Sequence, residues 1–121
     1  MSTFVIALAS IFLSVAAQFC LKAGMSSQEV KTVLAQPLGL HTMQVVGLNL
    51  PILGGFVLYG LGAVVWLLVL SQWEVSKAYP LVGMGFLFTL VVGLLLGEQV
   101  TLFRVVGVMM ISAGVWMVAN S

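Results

Sequence analysis

The chain has almost no charge. It contains no aspartate, and three glutamates against four lysines or arginines leave only 6% of its 121 residues charged, while 62% are hydrophobic. A soluble domain carries roughly a quarter of its residues as charged side chains. This chain could not cover its own surface in water, so it reads as an integral membrane protein. A formal net charge of +1 offers no basic face for nucleic acid, and no such partner is expected. The single cysteine, Cys20, excludes an intrachain disulfide and fits no metal-ligand spacing. It reads as a small apolar packing residue. No metal and no cofactor are expected. There is also no polar stretch long enough to form a domain outside the membrane, so there is no place for a soluble enzyme and no catalytic residue is assigned.

What the chain does have is long apolar runs. A spanning helix needs about 20 mostly apolar residues. Four segments qualify, predicted at Thr3 to Ala23, Pro51 to Trp73, Ser76 to Leu96 and Thr101 to Ala119. The first has no Lys or Arg before it and continues past Ala17 to Lys22 and Gly24. That pattern lacks the basic start of a signal peptide, so a retained transmembrane helix is expected, with Gly24 as its C-terminal cap. Asn49 or Leu50 precedes the second, and Pro51 suits a first helical turn, where its missing N–H has no partner anyway. Very short links after the second and third segments make neighbouring helices antiparallel. The expected fold is therefore all-α: one domain over 1–121, with four transmembrane helices in a compact bundle.

The link over 25–50 is longer and contains "SSQEVKTVLAQP". Ser26 followed by Glu29 fits a capping box. Val30, Val33 and Leu34 then share a face, and Pro37 ends the run. A short interfacial helix is expected there, with an unstructured polar loop as the alternative. Lys22, Lys31 and Arg104 lie toward the side of the first and third links, and Lys77 toward the other. The positive-inside rule puts the first and third links in the cytoplasm. The bias is small enough to permit both orientations, and hence an antiparallel dimer of identical chains.

Within the first apolar run, Ser10, Ser14, Gln18 and Lys22 recur every four residues. On a helix they form one slowly drifting polar stripe. Such a stripe either faces a partly wet cavity or acts as interhelical glue, with Lys22 snorkelling to the interface. In the second run Tyr59, Trp66 and Trp73 recur every seven residues on one face, with Trp73 near the interface. Gly107 and Gly114, also seven apart, share a face two turns from each other. Arg104 near Glu98 suggests an ion pair at the interface, with phosphate contact as the sharper alternative, and His41 has no evident partner.

Ala78-Tyr79 followed by Gly83-Met84-Gly85, the "LGE" of Leu96-Gly97-Glu98, "GVMMISAGV" over 107–115 and "CLKAG" over 20–24 together resemble the drug/metabolite transporter superfamily. Its small multidrug resistance and single-module EamA-like branches are the nearest. Within it, Gln18-Phe19-Cys20-Leu21-Lys22 and Ala78-Tyr79-Pro80 are most similar to the subunits of the undecaprenyl-phosphate aminoarabinose flippase. That resemblance implies a subunit in the bacterial inner membrane that moves a polyprenyl-phosphate-linked sugar, or a similar amphiphile, in contact with membrane lipids. It implies substrate contacts from Ser14, Gln18, Lys22, Tyr59, Trp66, Lys77 and Tyr79, with Lys22 meeting the phosphate as a point charge. For Tyr59 and Trp66, lipid-facing packing is the alternative. Pro80, Gly83 and Gly85 would form a hinge as access alternates, the alternative being tight packing of the glycines. The Gly107/Gly114 face would be a dimer seam, in a homodimer or a heterodimer with a similar subunit.

One departure from the superfamily is informative. Small multidrug resistance proteins carry a glutamate in mid-helix one, and matching on Lys22 puts that position at Ser14. Proton-coupled cation export needs a carboxylate inside the membrane, and all three glutamates fall at or outside the expected helix ends. An exporter of small polar or cationic compounds is thus the first rival reading. A non-transporting accessory subunit is the second.

Overall fold

The computed structural model describes residues 2–121. It is all-helical, with no strand among the described residues. Four helical stretches are long and apolar enough to cross a membrane: Thr3–Met25, Leu50–Leu70, Val75–Leu95 and Leu102–Ala119. The first is α1. The link after it folds as α2 (Gln28–Leu34) and α3 (Leu40–Gly47), and the second span is α4 (Leu50–Leu70). The third is broken into α5 (Val75–Ala78), a 3₁₀ turn over Tyr79–Gly83, and α6 (Met84–Leu95); the last span is α7 (Leu102–Ala119).

Small polar residues start these helices, because a side-chain oxygen satisfies an otherwise orphaned N–H of the first turn. Ser2 accepts from the Val5 N–H at 3.3 Å, Asn49 from Ile52 at 3.2 Å and Thr101 from Arg104 at 3.1 Å. Pro51 sits in the first turn of α4.

The link corrects three expectations. The N-cap of α2 is Ser27 rather than Ser26, since α1 runs on to Met25 and Ser26 closes it. The Ser27 hydroxyl donates to the Gly24 carbonyl at 2.7 Å and accepts from Val30 N–H at 3.4 Å. Gly24 is not a cap but lies inside α1, where a Cβ would meet Asn49 Oδ1 at 2.6 Å as well as the Ile52 side chain. Its missing side chain lets the start of α4 dock. Finally, Val30 and Val33 are buried but Leu34 is exposed, and a second short helix, α3, follows Pro37.

The α1 helix is the central element, packing along α4 on one side and against α6 on the other, while α4 and α6 barely meet. Close approach of α1 and α4 depends on two glycines. A Cβ on Gly55 would stand 3.1 Å from the Ala17 carbonyl oxygen, and one on Gly62 would stand 3.2 Å from that of Ser10. In lipid, where no hydrophobic force draws helices together, such backbone proximity is a main source of attraction. The buried core gathers Ala7, Ile11 and Val15 of α1, Val69 of α4, Ala78, Leu81 and Val115. It lies toward the end of the bundle that holds the broken third span. In α7 only Val115 is buried.

Candidate functional site

Because α4 and α6 diverge while both hold α1, a cavity of about 570 Å³ opens between them. Its back wall is the polar stripe: Ser10, Ser14 and Gln18 all line it. Tyr59, Gly62 and Trp66 contribute from α4, Tyr79 from the 3₁₀ turn, and Gly85, Phe86 and Thr89 from α6. Two expected contact residues of α4, Tyr59 and Trp66, therefore share one wall. Trp73 does not join them. Helix α4 stops at Leu70, and Trp73 lies in the following turn, half-buried against the core.

The stripe is not uniform in use. Ser10 is buried and its hydroxyl donates to the Gly62 carbonyl at 2.6 Å, a bond between α1 and α4. One turn further, Ser14 is half-buried beside the same glycine, its Oγ 3.2 Å from where a Gly62 Cβ would stand. Gln18 is exposed to the cavity, and its Nε2 donates to Tyr59 Oη at 3.0 Å. Both bonds join α1 to α4: that of Ser10 is buried in the helix seam, and that of Gln18 is exposed at the cavity wall. No buried side-chain nitrogen or oxygen among the described residues lacks a partner, as expected of polar groups inside an apolar bundle.

Lys22 lies beyond the central cavity. It lines a second, open cavity of about 580 Å³ together with Gln18, Phe19, Thr89, Glu98, Gln99 and Arg104. Gln18 and Thr89 line both cavities, so the two adjoin at that pair. Thr89, which sequence reasoning passed over, also lines a cleft of about 220 Å³ between α6 and α7. Its signal was present as a lone hydroxyl in an apolar helix, held by a 2.7 Å bond to the Gly85 carbonyl. Arg104 departs from the expected ion pair: its Nη1 donates instead to the Gln99 carbonyl at 2.8 Å.

Lys77 is placed elsewhere. Its ammonium stands 4.5 Å above the Trp73 ring, a cation–π contact, and it does not line the central cavity. Trp73, expected near the interface, lies in the turn after α4 with its ring beneath the lysine.

The third span breaks where Pro80 interrupts it, as a residue without a backbone N–H does. Its two glycines face different neighbours. A Cβ on Gly83 would meet Val115 at 2.8 Å and Ile111 at 3.0 Å, both in α7. One on Gly85 would meet Ile11 at 3.3 Å and Val15 at 3.4 Å, both in α1. Gly107 and Gly114 have nothing within 4 Å of an added Cβ. Among the described residues no three metal-ligating side chains come together.

These features belong to a known kind of chain. A protein of Photorhabdus laumondii named a probable 4-amino-4-deoxy-L-arabinose-phosphoundecaprenol flippase subunit ArnF is 32% identical over 129 aligned positions, covering 99% of this chain and 98% of that one. The chain belongs to the family of these flippase subunits. The Proteus mirabilis subunit of the same name is 29% identical over 94% of this chain and 89% of its own length. A subunit named ArnE from Pseudomonas fluorescens is 38% identical over 62 residues, about half of each chain. No family model matches, and no solved structure does. The relatives are named as flippase subunits rather than as enzymes.

Proposed function

We propose that this protein is one subunit of a bacterial inner-membrane flippase that translocates a polyprenyl-phosphate-linked amino sugar. The observation that carries the reading is the near full-length similarity to flippase subunits, in a chain whose polar stripe lines a cavity within the bundle. A sugar crossing lipid unassisted must strip water from several hydroxyls, each costing a few kcal/mol in an apolar medium. Ser14, Gln18, Tyr59 and Tyr79 offer replacement hydrogen bonds along the cavity, while Trp66 offers an aromatic face. Lys22 meets the phosphate where the cavity opens. The polyprenyl chain stays in lipid, which suits a cavity that is open on one side.

The subunit works as half of a pair. Its partner is a second copy or a similar four-helix chain, seated on the Gly107/Gly114 face of α7. Alternating access moves the third span at its break over Tyr79–Gly83. None of the three glutamates lines the central cavity, so a quaternary ammonium drug should not accumulate when a pH gradient is imposed on proteoliposomes.

Translocation is tested in vesicles that contain a polyprenyl-phosphate 4-amino-4-deoxy-L-arabinose and no other amine. The vesicles carry this chain alone or with an ArnE-type subunit. A membrane-impermeant amine reagent then modifies the outer leaflet only. Continued modification beyond the outer-leaflet fraction, in either preparation, is the expected result. A plateau at that fraction in both would overturn the reading.

A further inference from the structure

The second cavity contains two cations and one carboxylate, and the central cavity contains none. Lys22 comes from the last turn of α1, Arg104 from the first turn of α7, and Glu98 from the turn that joins α6 to α7. Three separate elements therefore deliver the charge to one place. The turn fixes the Glu98 main chain. Gly97 has φ of +86°, a left-handed conformation that glycine adopts without steric cost. Its N–H donates to the Leu94 carbonyl at 3.2 Å and the Glu98 N–H to the Gly93 carbonyl at 2.9 Å. This is a Schellman motif, in which the residue at the Glu98 position usually makes an apolar contact back to the helix. Here a carboxylate occupies it, and a Cβ on Gly93 would stand 3.0 Å from Glu98 Oε1. Gly93 makes room for the acid. Arg104 is steadied by one N–H bonded to the Gln99 carbonyl, and its planar fork has further N–H groups to give an anion.

We infer that this cavity is the docking site for a zwitterionic lipid head group, with the phosphodiester between Lys22 and Arg104 and the sugar amine at Glu98. The inference rests on the proposed function and deepens it by assigning the amine a partner. In a 4-amino-4-deoxy sugar phosphodiester the anion and the cation lie on opposite sides of one ring. A site with both signs of charge favours such a head group over neutral-sugar phosphodiesters and over plain anionic lipids, both of which engage the two cations but leave the carboxylate unmatched. Gln18 and Thr89, shared with the central cavity, lie where the docked sugar enters the bundle. Selection by charge thus precedes passage over neutral groups, which do not trap the amine.

The test is binding of two short-chain analogues to the full-length protein in neutral-lipid nanodiscs. One is the farnesyl phosphodiester of 4-amino-4-deoxy-L-arabinose, the other that of L-arabinose, which has a hydroxyl in place of the amine. Wild type should favour the amino analogue by about tenfold, the value of one charge-assisted contact in a partly wet site. Glu98→Gln should bring the two to near parity by weakening only the amino analogue, and Glu98→Asp should keep part of the preference. Lys22→Ala and Arg104→Ala should weaken both analogues by similar factors. If Glu98→Gln leaves the ratio unchanged, or weakens both analogues equally, the assignment of the amine is wrong. If phosphatidylglycerol displaces the amino analogue as well as unlabelled analogue does, the cavity is a general anionic-lipid site and the inference fails. If wild type binds neither analogue, the proposed function falls with it.

Discussion

Two helices of this protein carry glycines seven residues apart, and they use them differently. In α4, Gly55 and Gly62 lie against α1 so closely that an added Cβ would stand 3.1–3.2 Å from main-chain oxygens. In α7, Gly107 and Gly114 have nothing within 4 Å, and Val115 is the helix's one buried residue. Glycine on a helix face in lipid allows backbones to approach. In α4 its own chain supplies the approaching backbone, whereas at the α7 pair none of the described residues does. Sequence spacing alone does not separate the two cases, because it specifies a face and not the occupant of that face.

The largest expected effect comes from filling the occupied seam. Gly62→Leu puts a side chain into the Ser10 main chain and Leu13, neither of which is the end of a flexible group that can swing away. Overpacking of a tight core costs about 1–3 kcal/mol and occasionally more, and this site should lie at the upper end. Thermal unfolding in detergent should show a clearly lowered midpoint, or no folded protein at all. A wild-type midpoint would mean that α1 and α4 pack less tightly than described. The matching change in α7, Gly107→Leu with Gly114→Leu, should leave the unfolding free energy within about 0.5 kcal/mol of wild type, as substitutions on unpacked surfaces do. It should instead abolish subunit crosslinking. Persistent crosslinking would move the seam to another helix and remove the functional meaning from the comparison.

The difference between the seams also shows how far the sequence could be read. Composition and apolar run length are enough for four spans, because only helices satisfy every backbone group locally in lipid. Details decided by packing were not legible. Gly24 reads as a cap from its place at the end of an apolar run, yet what makes it glycine is the start of α4 at Asn49 and Ile52, far along the chain. Helix α3 starts after Gly39, an N-cap with no side chain to offer, and its one local device is the Thr42 hydroxyl, which accepts from the Gly39 N–H at 3.3 Å, a faint signal in sequence. The contact between the Lys77 ammonium and the Trp73 ring joins two residues that the sequence assigns to separate spans. The stripe from Ser10 to Lys22 was visible through its period. That its members would divide among a helix seam, a central cavity and a second cavity depends on where α4 and α6 diverge, which no single helix encodes. The same holds for Glu98 and Arg104. They are neighbours in sequence, and their meeting with Lys22 in one cavity appears only once α1 and α7 are both placed.

A smaller effect, on rate rather than fold, is expected on the side of α1 that faces the cavities. Gln18→Leu removes the bond to Tyr59 Oη and puts an apolar group where the two cavities join. Both partners are exposed, so little stability is at stake, and translocation should slow by several-fold while the unfolding midpoint holds. Lys22→Ala should reduce phosphate capture by about tenfold, as the loss of one charge-assisted contact does, and Lys22→Arg should restore most of it. Wild-type translocation in folded, inserted Gln18→Leu and Lys22→Ala proteins would make the whole stripe interhelical glue, and the contrast between Ser10 and Gln18 would disappear.

The smallest expected effect separates the two serines. Ser10→Ala deletes the 2.6 Å hydrogen bond to the Gly62 carbonyl, within the seam that Gly62→Leu destroys. The carbonyl lies inside α4, and a carbonyl oxygen has two lone pairs, so the helix's own hydrogen bonding still satisfies it when the hydroxyl is gone. No buried group is orphaned. The loss is then only the net value of an interhelical bond in lipid, which averages about 0.6 kcal/mol, and alanine is small enough to leave the close approach intact. A drop of that size in unfolding free energy, with an unaltered translocation rate, is expected for Ser10→Ala. Ser14→Ala should do the reverse, slowing translocation with no measurable change in stability, because Ser14 is only half-buried and lines the cavity. If both substitutions change stability alike and translocation not at all, the seam extends a full turn further along α1 than the cavity geometry implies. The polar wall of the central cavity would then begin at Gln18.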